Sequence, residues 1–203
     1  MMEEYPVAQD GIFWSIQGEA HLRGFQMAFL RLAGCSVGCP QCDTNYKLEQ
    51  RLSASQITER LCEISKGRDR WVWITGGEPL DHPLRPLYRS LRGAGFSIAI
   101  ATSGVHRAIE SCDWMSVSPH GTRMIQRYGH EVKLIDGLNG LDLWDWHKEN
   151  PDDTTDFWYR YAQPLTLPDG TECPKSLSRC LEFLQSRPNW SLSRQEHRLW
   201  GLP

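Results

Sequence analysis

The chain has 203 residues, a length suited to one domain, and its 22 Lys and Arg against 25 Asp and Glu give a formal net charge of -3. That balance leaves no basic excess to neutralise a phosphate backbone, which argues against nucleic-acid binding, and no apolar run approaches the roughly 18 residues of a membrane span. The first residues, MMEEYPVAQD, carry no basic start followed by an apolar stretch, so a cytoplasmic protein with one domain over residues 1–203 is expected.

In chain order, Met27–Leu32 reads as an apolar strand running into a loop with three cysteines. Ser53 and Gln56 have the spacing of a capping box ahead of Ile57, Leu61 and Ile64, which share one helix face, and Gly67 follows as a stop. The unit then recurs. Trp71–Thr75 is a short apolar strand, Gly76-Gly77-Glu78-Pro79 a loop, and Leu84, Leu87, Tyr88 and Leu91 a helical stripe closed by Gly93 and Gly95. Further strands are expected at Ser97–Ala101, Trp114–Val117, Val132–Ile135, Phe157–Tyr161 and Trp190–Leu192, and helices around 105–110 and 175–185. The segment 137–156 is polar and Trp-rich with no clean period, and reads as a loop or helical insertion. Strands alternating with helices imply a parallel sheet. About six such units fall short of the eight in a closed barrel, so the predicted fold is α/β, an incomplete (open) β/α barrel.

The unusual polar stretches follow predicted strands: the cysteine loop, TGGEP at Thr75–Pro79, TSG from Thr102, SPH at Ser118–His120 and QP at Gln163–Pro164. Carboxyl ends of strands form the ligand face of a βα architecture, so these loops are expected to converge on one cleft.

Seven cysteines is an odd number, and three fall within eight positions, Cys35, Cys39 and Cys42, while Cys62, Cys112, Cys173 and Cys180 are scattered. In a reducing compartment such a cluster points to a metal or redox site. The spacing C-x3-C-x2-C suits a four-iron cluster in which each thiolate holds one iron and the fourth iron stays open for a ligand. Structural zinc wants a fourth protein ligand, and the nearest histidines in sequence are His21 and His82. Zinc and unliganded loop thiols are the blander readings.

The cysteine triad resembles the signature of the radical S-adenosylmethionine (SAM) superfamily, with Gln41 where an aromatic or small residue is usual, and TGGEP resembles that superfamily's GGE motif. The stretches SIQGE (Ser15–Glu19), FLRLAGC (Phe29–Cys35), CDT (Cys42–Thr44), TSG, SP, QP and HRLWGLP (His197–Pro203) together resemble the 7-carboxy-7-deazaguanine synthase family from residue 15 to the last. The resemblance implies a lyase that converts 6-carboxy-5,6,7,8-tetrahydropterin into 7-carboxy-7-deazaguanine with loss of ammonia, in 7-deazaguanine (queuosine) biosynthesis. It implies a [4Fe-4S] cluster, SAM and Mg²⁺ as cofactors, a homodimer, and an electron donor such as flavodoxin. In that chemistry an electron from the reduced cluster cleaves SAM, the radical so formed takes hydrogen from C6 of the pterin, the ring contracts, and hydrogen is taken back before ammonia leaves.

Carried over position by position, the resemblance makes Cys35, Cys39 and Cys42 the cluster ligands and Thr44 a magnesium ligand through its hydroxyl. Gly77, Ser103, Ser118, Pro119, His120, Gln163, Pro164, Leu165 and Thr166 line the SAM pocket. Ile16, Gln17, Gly18, Arg31, Thr75, His197 and the terminal carboxylate of Pro203 contact the substrate. An arginine in an apolar strand is usually a snorkelling edge residue, but the Arg31 guanidinium is also able to clasp the substrate carboxylate with two hydrogen bonds. Two positions depart from the family's pattern: Ala101 stands where Glu commonly precedes TSG, and His120 where SPK is usual. The apolar tail around Leu199, Trp200 and Leu202 is expected to fold back over the cleft. The competing readings are a radical activase acting on a partner protein, which has no need of the SIQGE and terminal motifs, and a non-catalytic iron-sulfur protein, which has no use for GGE and QP.

Overall fold

From residue 26 onward the chain builds one sheet, with helices interspersed between its strands and packed on its outer face. The computed structural model describes residues 3–40, 42 and 47–203. The elements are β1 (Glu4–Ile16), β2 (Gln26–Leu32), β3 (Leu48–Ser53), α1 (Ala54–Ile64), β4 (Trp71–Gly76), α2 (Arg85–Gly93), β5 (Ser97–Thr102), β6 (Trp114–Val117), β7 (Tyr128–Asp136), α3 (Leu143–Glu149), β8 (Asp156–Pro164), α4 (Pro174–Gln185), β9 (Ser191–Leu192) and α5 (Glu196–Leu199). Among the described residues the strand order is β3-β1-β2-β4-β5-β6-β7-β8-β9. The pairings from β2 through β9 are all parallel, whereas β1 is antiparallel to both β2 and β3. The edges β3 and β9 do not meet, so the sheet is an open barrel.

Period-2 alternation gives this sheet two faces with different work. Outward-facing Leu30, Leu32, Val72, Ile74, Ile98, Ile100, Val132 and Leu134 pack against Ile57 and Leu61 of α1, Leu87 and Leu91 of α2, and Phe183 of α4. Inward-facing Met27, Phe29, Trp73, Ala99 and Trp114 form a second apolar cluster toward the amino-terminal ends of the strands. Further along the same strands the inward positions turn polar, as at Arg31 and Thr75.

The capping box forms as its spacing predicts: Ser53 Oγ accepts from Gln56 N at 3.3 Å, and Ser53 N donates to Gln56 Oε1 at 2.9 Å. Ser53→Ala removes the acceptor and is expected to cost about 1 kcal/mol, lowering the melting temperature by roughly 2–4 °C in a thermal scan.

Two features differ from the sequence reading. The parallel strands number seven, not about six, and two antiparallel strands, β1 and β3, precede them. The period of β1 is broken by a register shift between Val7 and Ile12, where Asp10 takes a φ of 51°, and β3 is a polar edge strand whose sequence LEQRLS has no apolar stripe. No helix forms at 105–110, where Ile109 is 86% exposed and the Ala108 N–H donates to the Gln126 side chain. The segment 137–156, read as a loop or helical insertion, holds α3, started by Asp142, whose carboxylate accepts from the N–H groups of Trp144 and Asp145. No helix among the described residues is long and apolar enough to cross a membrane.

Candidate active site

At the carboxyl ends of the strands lies a cavity of about 210 Å³. Its wall includes Ile16, Gln17, Gly18, Arg31, Thr75, His197 and Pro203, together with Cys35, Cys39, Cys42, Gly77, Ser103, Ser118 and His120. Arg31 and Thr75 are register partners on β2 and β4. They are the last inward positions before the cysteine and glycine loops. Because β2 is an interior strand, Arg31 is not an edge residue: its guanidinium carbon stands 4.7 Å from the centre of the Phe13 ring, which stacks on Phe29.

The turn after β1 and the carboxyl-terminal tail meet at Gly18. A Cβ there would fall 2.3 Å from the His197 backbone nitrogen and 2.5 Å from its Nδ1, so only glycine lets the tail approach. Glu196 N donates to Gly18 O at 3.0 Å, the Glu196 carboxylate pairs with Arg23 at 2.8 Å, and Leu202 N donates to His197 O at 2.8 Å, curling the last residues back. Gly18→Ala pushes the tail outward. The expected result is a KM for the substrate raised by roughly tenfold, about 1.4 kcal/mol, with the melting temperature little changed.

Close approach also fixes the loops after β2 and β4. A Cβ on Gly77 would lie 1.6 Å from Gly34 O, and Gly77 N donates to Leu32 O at 2.8 Å. Glu78, 1% exposed, then ties this pair of loops to the one after β5. One carboxylate oxygen accepts from Thr102 Oγ1 at 2.7 Å and Leu80 N at 3.0 Å; the other accepts from Ser103 N at 2.8 Å and from the Ser103 hydroxyl. TGGEP and TSG are therefore one hydrogen-bonded unit of the cavity wall.

The cysteine loop is held from outside by Asp81, whose carboxylate accepts from Ser36 N and Ser36 Oγ, each at 2.7 Å, and meets His106 Nε2 at 2.9 Å. Cys39 is buried, Cys35 half-buried and Cys42 exposed. Burial pushes the Cys39 thiol up, and its sulfur lies 2.7 Å from His120 Nδ1. A thiol so placed becomes a thiolate readily only beside positive charge, which bound iron supplies. No three His, Cys, Asp or Glu side chains among the described residues gather around a single point. A four-iron cube is itself several ångströms across, so its cysteines stand wider apart than the ligands of one ion, and three thiols spread along one cavity fit it.

The end of β8 and the segment after it stand behind the wall. Gln163 is fully buried, accepts from Ser193 Oγ at 2.7 Å and donates to Glu19 Oε1 at 3.3 Å. Leu165 N donates to Ser176 Oγ, and Thr166 pairs with Glu172. Pro119, Gln163, Pro164, Leu165 and Thr166 do not line the cavity in this structure, and Thr44 lies outside the described residues. Sequence reading missed Glu19 and Lys133, which contact each other in the wall. The signal was a lysine amid the apolar residues of VKLI on β7.

No protein-family model matches the chain. Among curated proteins, 7-carboxy-7-deazaguanine synthase of Synechocystis sp. is 29% identical over 203 residues, covering 98% of this chain and 93% of its own. The Burkholderia multivorans protein of the same name is 28% identical over 95% of this chain and 97% of its own, and that of Escherichia coli is 38% identical over 64% of this chain and 66% of its own. The crystal structure of QueE from Escherichia coli matches with a TM-score of 0.69 and 27% identity, covering 95% of this chain and 94% of that one. Similarity of sequence and fold over nearly the full length, joined to a cavity in which the cysteine triad meets the SIQGE turn and the carboxyl-terminal tail, places this protein in the 7-carboxy-7-deazaguanine synthase family.

Proposed function

We infer that this chain is a 7-carboxy-7-deazaguanine synthase, a lyase that contracts the ring of 6-carboxy-5,6,7,8-tetrahydropterin to 7-carboxy-7-deazaguanine and releases ammonia, in the biosynthesis of 7-deazaguanines such as queuosine. The observation that carries this reading is the single cavity shared by three triad cysteines, the SIQGE turn, the ends of β2 and β4, and the tail. When bound, a [4Fe-4S] cluster on Cys35, Cys39 and Cys42, with SAM at its open iron, supplies the one-electron chemistry that starts hydrogen abstraction.

The chain's own residues bind, orient and shield. Arg31 offers a planar fork for the substrate carboxylate, at the polar end of a lumen floored by Phe29 and Trp73. Gln17, held by its Oε1 accepting from Glu19 N at 3.1 Å, and Thr75 offer hydrogen bonds to the pterin, while His197 and Pro203 cover it and exclude water. Gly77, Ser103, Ser118 and His120 face SAM. Gln163 to Thr166 and Pro119 support that side from behind. A Thr44 hydroxyl suits Mg²⁺ as a hard ligand for a hard cation, and a homodimer and an external electron donor such as flavodoxin complete the proposal. A radical activase needs a cleft open to a protein. The tail residues in this cavity's wall argue against it.

Anaerobically reconstituted protein, mixed with reductant, SAM, Mg²⁺ and the carboxypterin, is expected to yield 7-carboxy-7-deazaguanine by mass and one ammonia per product. Cleavage of SAM with no deazaguanine would sink the reading.

A further inference from the structure

The cavity wall contains a buried ion pair that substrate and cofactor binding leave without a role. On β7, Val132 and Leu134 are fully buried on the outer face, which turns Lys133 inward. Its ammonium contacts a Glu19 carboxylate oxygen; the two side chains are 10% and 16% exposed, and both residues line the cavity. The pair is held in place from behind. The other Glu19 oxygen accepts from Gln163 Nε2 at 3.3 Å, the Gln163 carbonyl accepts from Ser193 Oγ at 2.7 Å, and that hydroxyl accepts from Ala20 N at 3.0 Å. Buried ion pairs stabilise folds poorly, because desolvating both charges offsets their attraction and an apolar pair of equal volume serves as well. Burial disfavours the Lys133 ammonium and lowers its pKa, while the touching carboxylate works the other way, so the pair is rigid, charged and able to move a proton.

Release of ammonia needs both an acid and a base. The carbon–nitrogen bond breaks with its electron pair leaving on nitrogen, which takes up a proton. A proton on the neighbouring ring atom departs, and the electron pair that held it becomes the new double bond. We propose that Lys133 and Glu19 are the acid and base of this elimination: the Lys133 ammonium protonates the departing amine, and the Glu19 carboxylate takes the ring proton. Afterwards a neutral lysine faces a protonated glutamate across the contact they already make. One proton crossing that contact restores the starting pair, with no other acid, base or oxidant. The assignment rests on the synthase reading above.

The test uses reconstituted holoenzyme and carboxypterin deuterated at C6. Three quantities are read: transfer of deuterium into the SAM pool, which reports hydrogen abstraction and return; formation of ammonia and product, which reports elimination; and binding of the carboxypterin without reductant, by quenching of tryptophan fluorescence. In Lys133→Met and Glu19→Gln, binding and deuterium transfer are expected to stay within about threefold of wild type, while product and ammonia fall by roughly 100-fold and a ring-contracted amine of the substrate's mass accumulates. Lys133→Arg keeps a cation beside Glu19 on a group that does not release its proton, and is expected to fold and bind as wild type yet remain slow in elimination. Product formation within about threefold of wild type in both Lys133 variants overturns the assignment, as does a parallel fall of binding, deuterium transfer and product. A wild-type protein that makes no deazaguanine overturns the synthase reading itself, and this step with it.

Discussion

Gly77→Ala is expected to abolish turnover and to strip the protein of iron at the same time. An added Cβ would stand 1.6 Å from Gly34 O and 3.1 Å from Cys35 Cβ, and the first of these is backbone that no rotamer change moves aside. The two loops must separate by more than an ångström. Doing so breaks the Gly77 N bond to Leu32 O and the Glu78 N bond to Gly34 O, and it carries Cys35 away from the other two thiols. Overpacking of this kind typically costs about 1–3 kcal/mol, and here it falls on the loops that make the site rather than on the outer helices. Iron content after reconstitution, turnover and a thermal melt together check it. A Gly77→Ala protein with full iron content and activity would show that the loops tolerate separation.

Cys39→Ala is expected to remove the cluster entirely while sparing the fold. Three thiolates are the minimum for a four-iron site with one open iron, so loss of one leaves no second-best arrangement. Removing one buried sulfur from a loop leaves the helix-facing core untouched, so far-UV circular dichroism should match wild type. Cys62 and Cys173 are half-buried and away from the cavity, and Cys62→Ala and Cys173→Ala should bind iron as wild type does. An intact four-iron cluster in the Cys39→Ala protein would overturn the assignment of the triad.

Local chemistry made part of this fold legible. The capping box at Ser53 and the buried stripe Leu87, Tyr88 and Leu91 put α1 and α2 where spacing places them, and β6 runs over the span its apolar letters suggest. β1 was illegible because its bulge at Asp10 resets the alternation, and β3 because an edge strand has one neighbour and keeps polar residues along most of its length. The site divides in the same way. Cysteines seven residues apart announce themselves, whereas Lys133 and Glu19 lie 114 residues apart and meet only because the barrel curls. Gln163 is legible as a motif letter, but its burial beneath Glu19 is a fact of the third dimension.

The apolar cluster of Met27, Phe29, Trp73, Ala99 and Trp114 closes the amino-terminal end of the lumen. A vessel sealed at its base is filled and emptied from the top, and here the top is also where the tail rests. Traffic through such a mouth is ordered: the ligand seated deeper enters first and leaves last, and the shallower one guards it. Initial-rate measurements at varied substrate and SAM should therefore show compulsory rather than random addition, with the product, which takes the substrate's place, competing against the substrate.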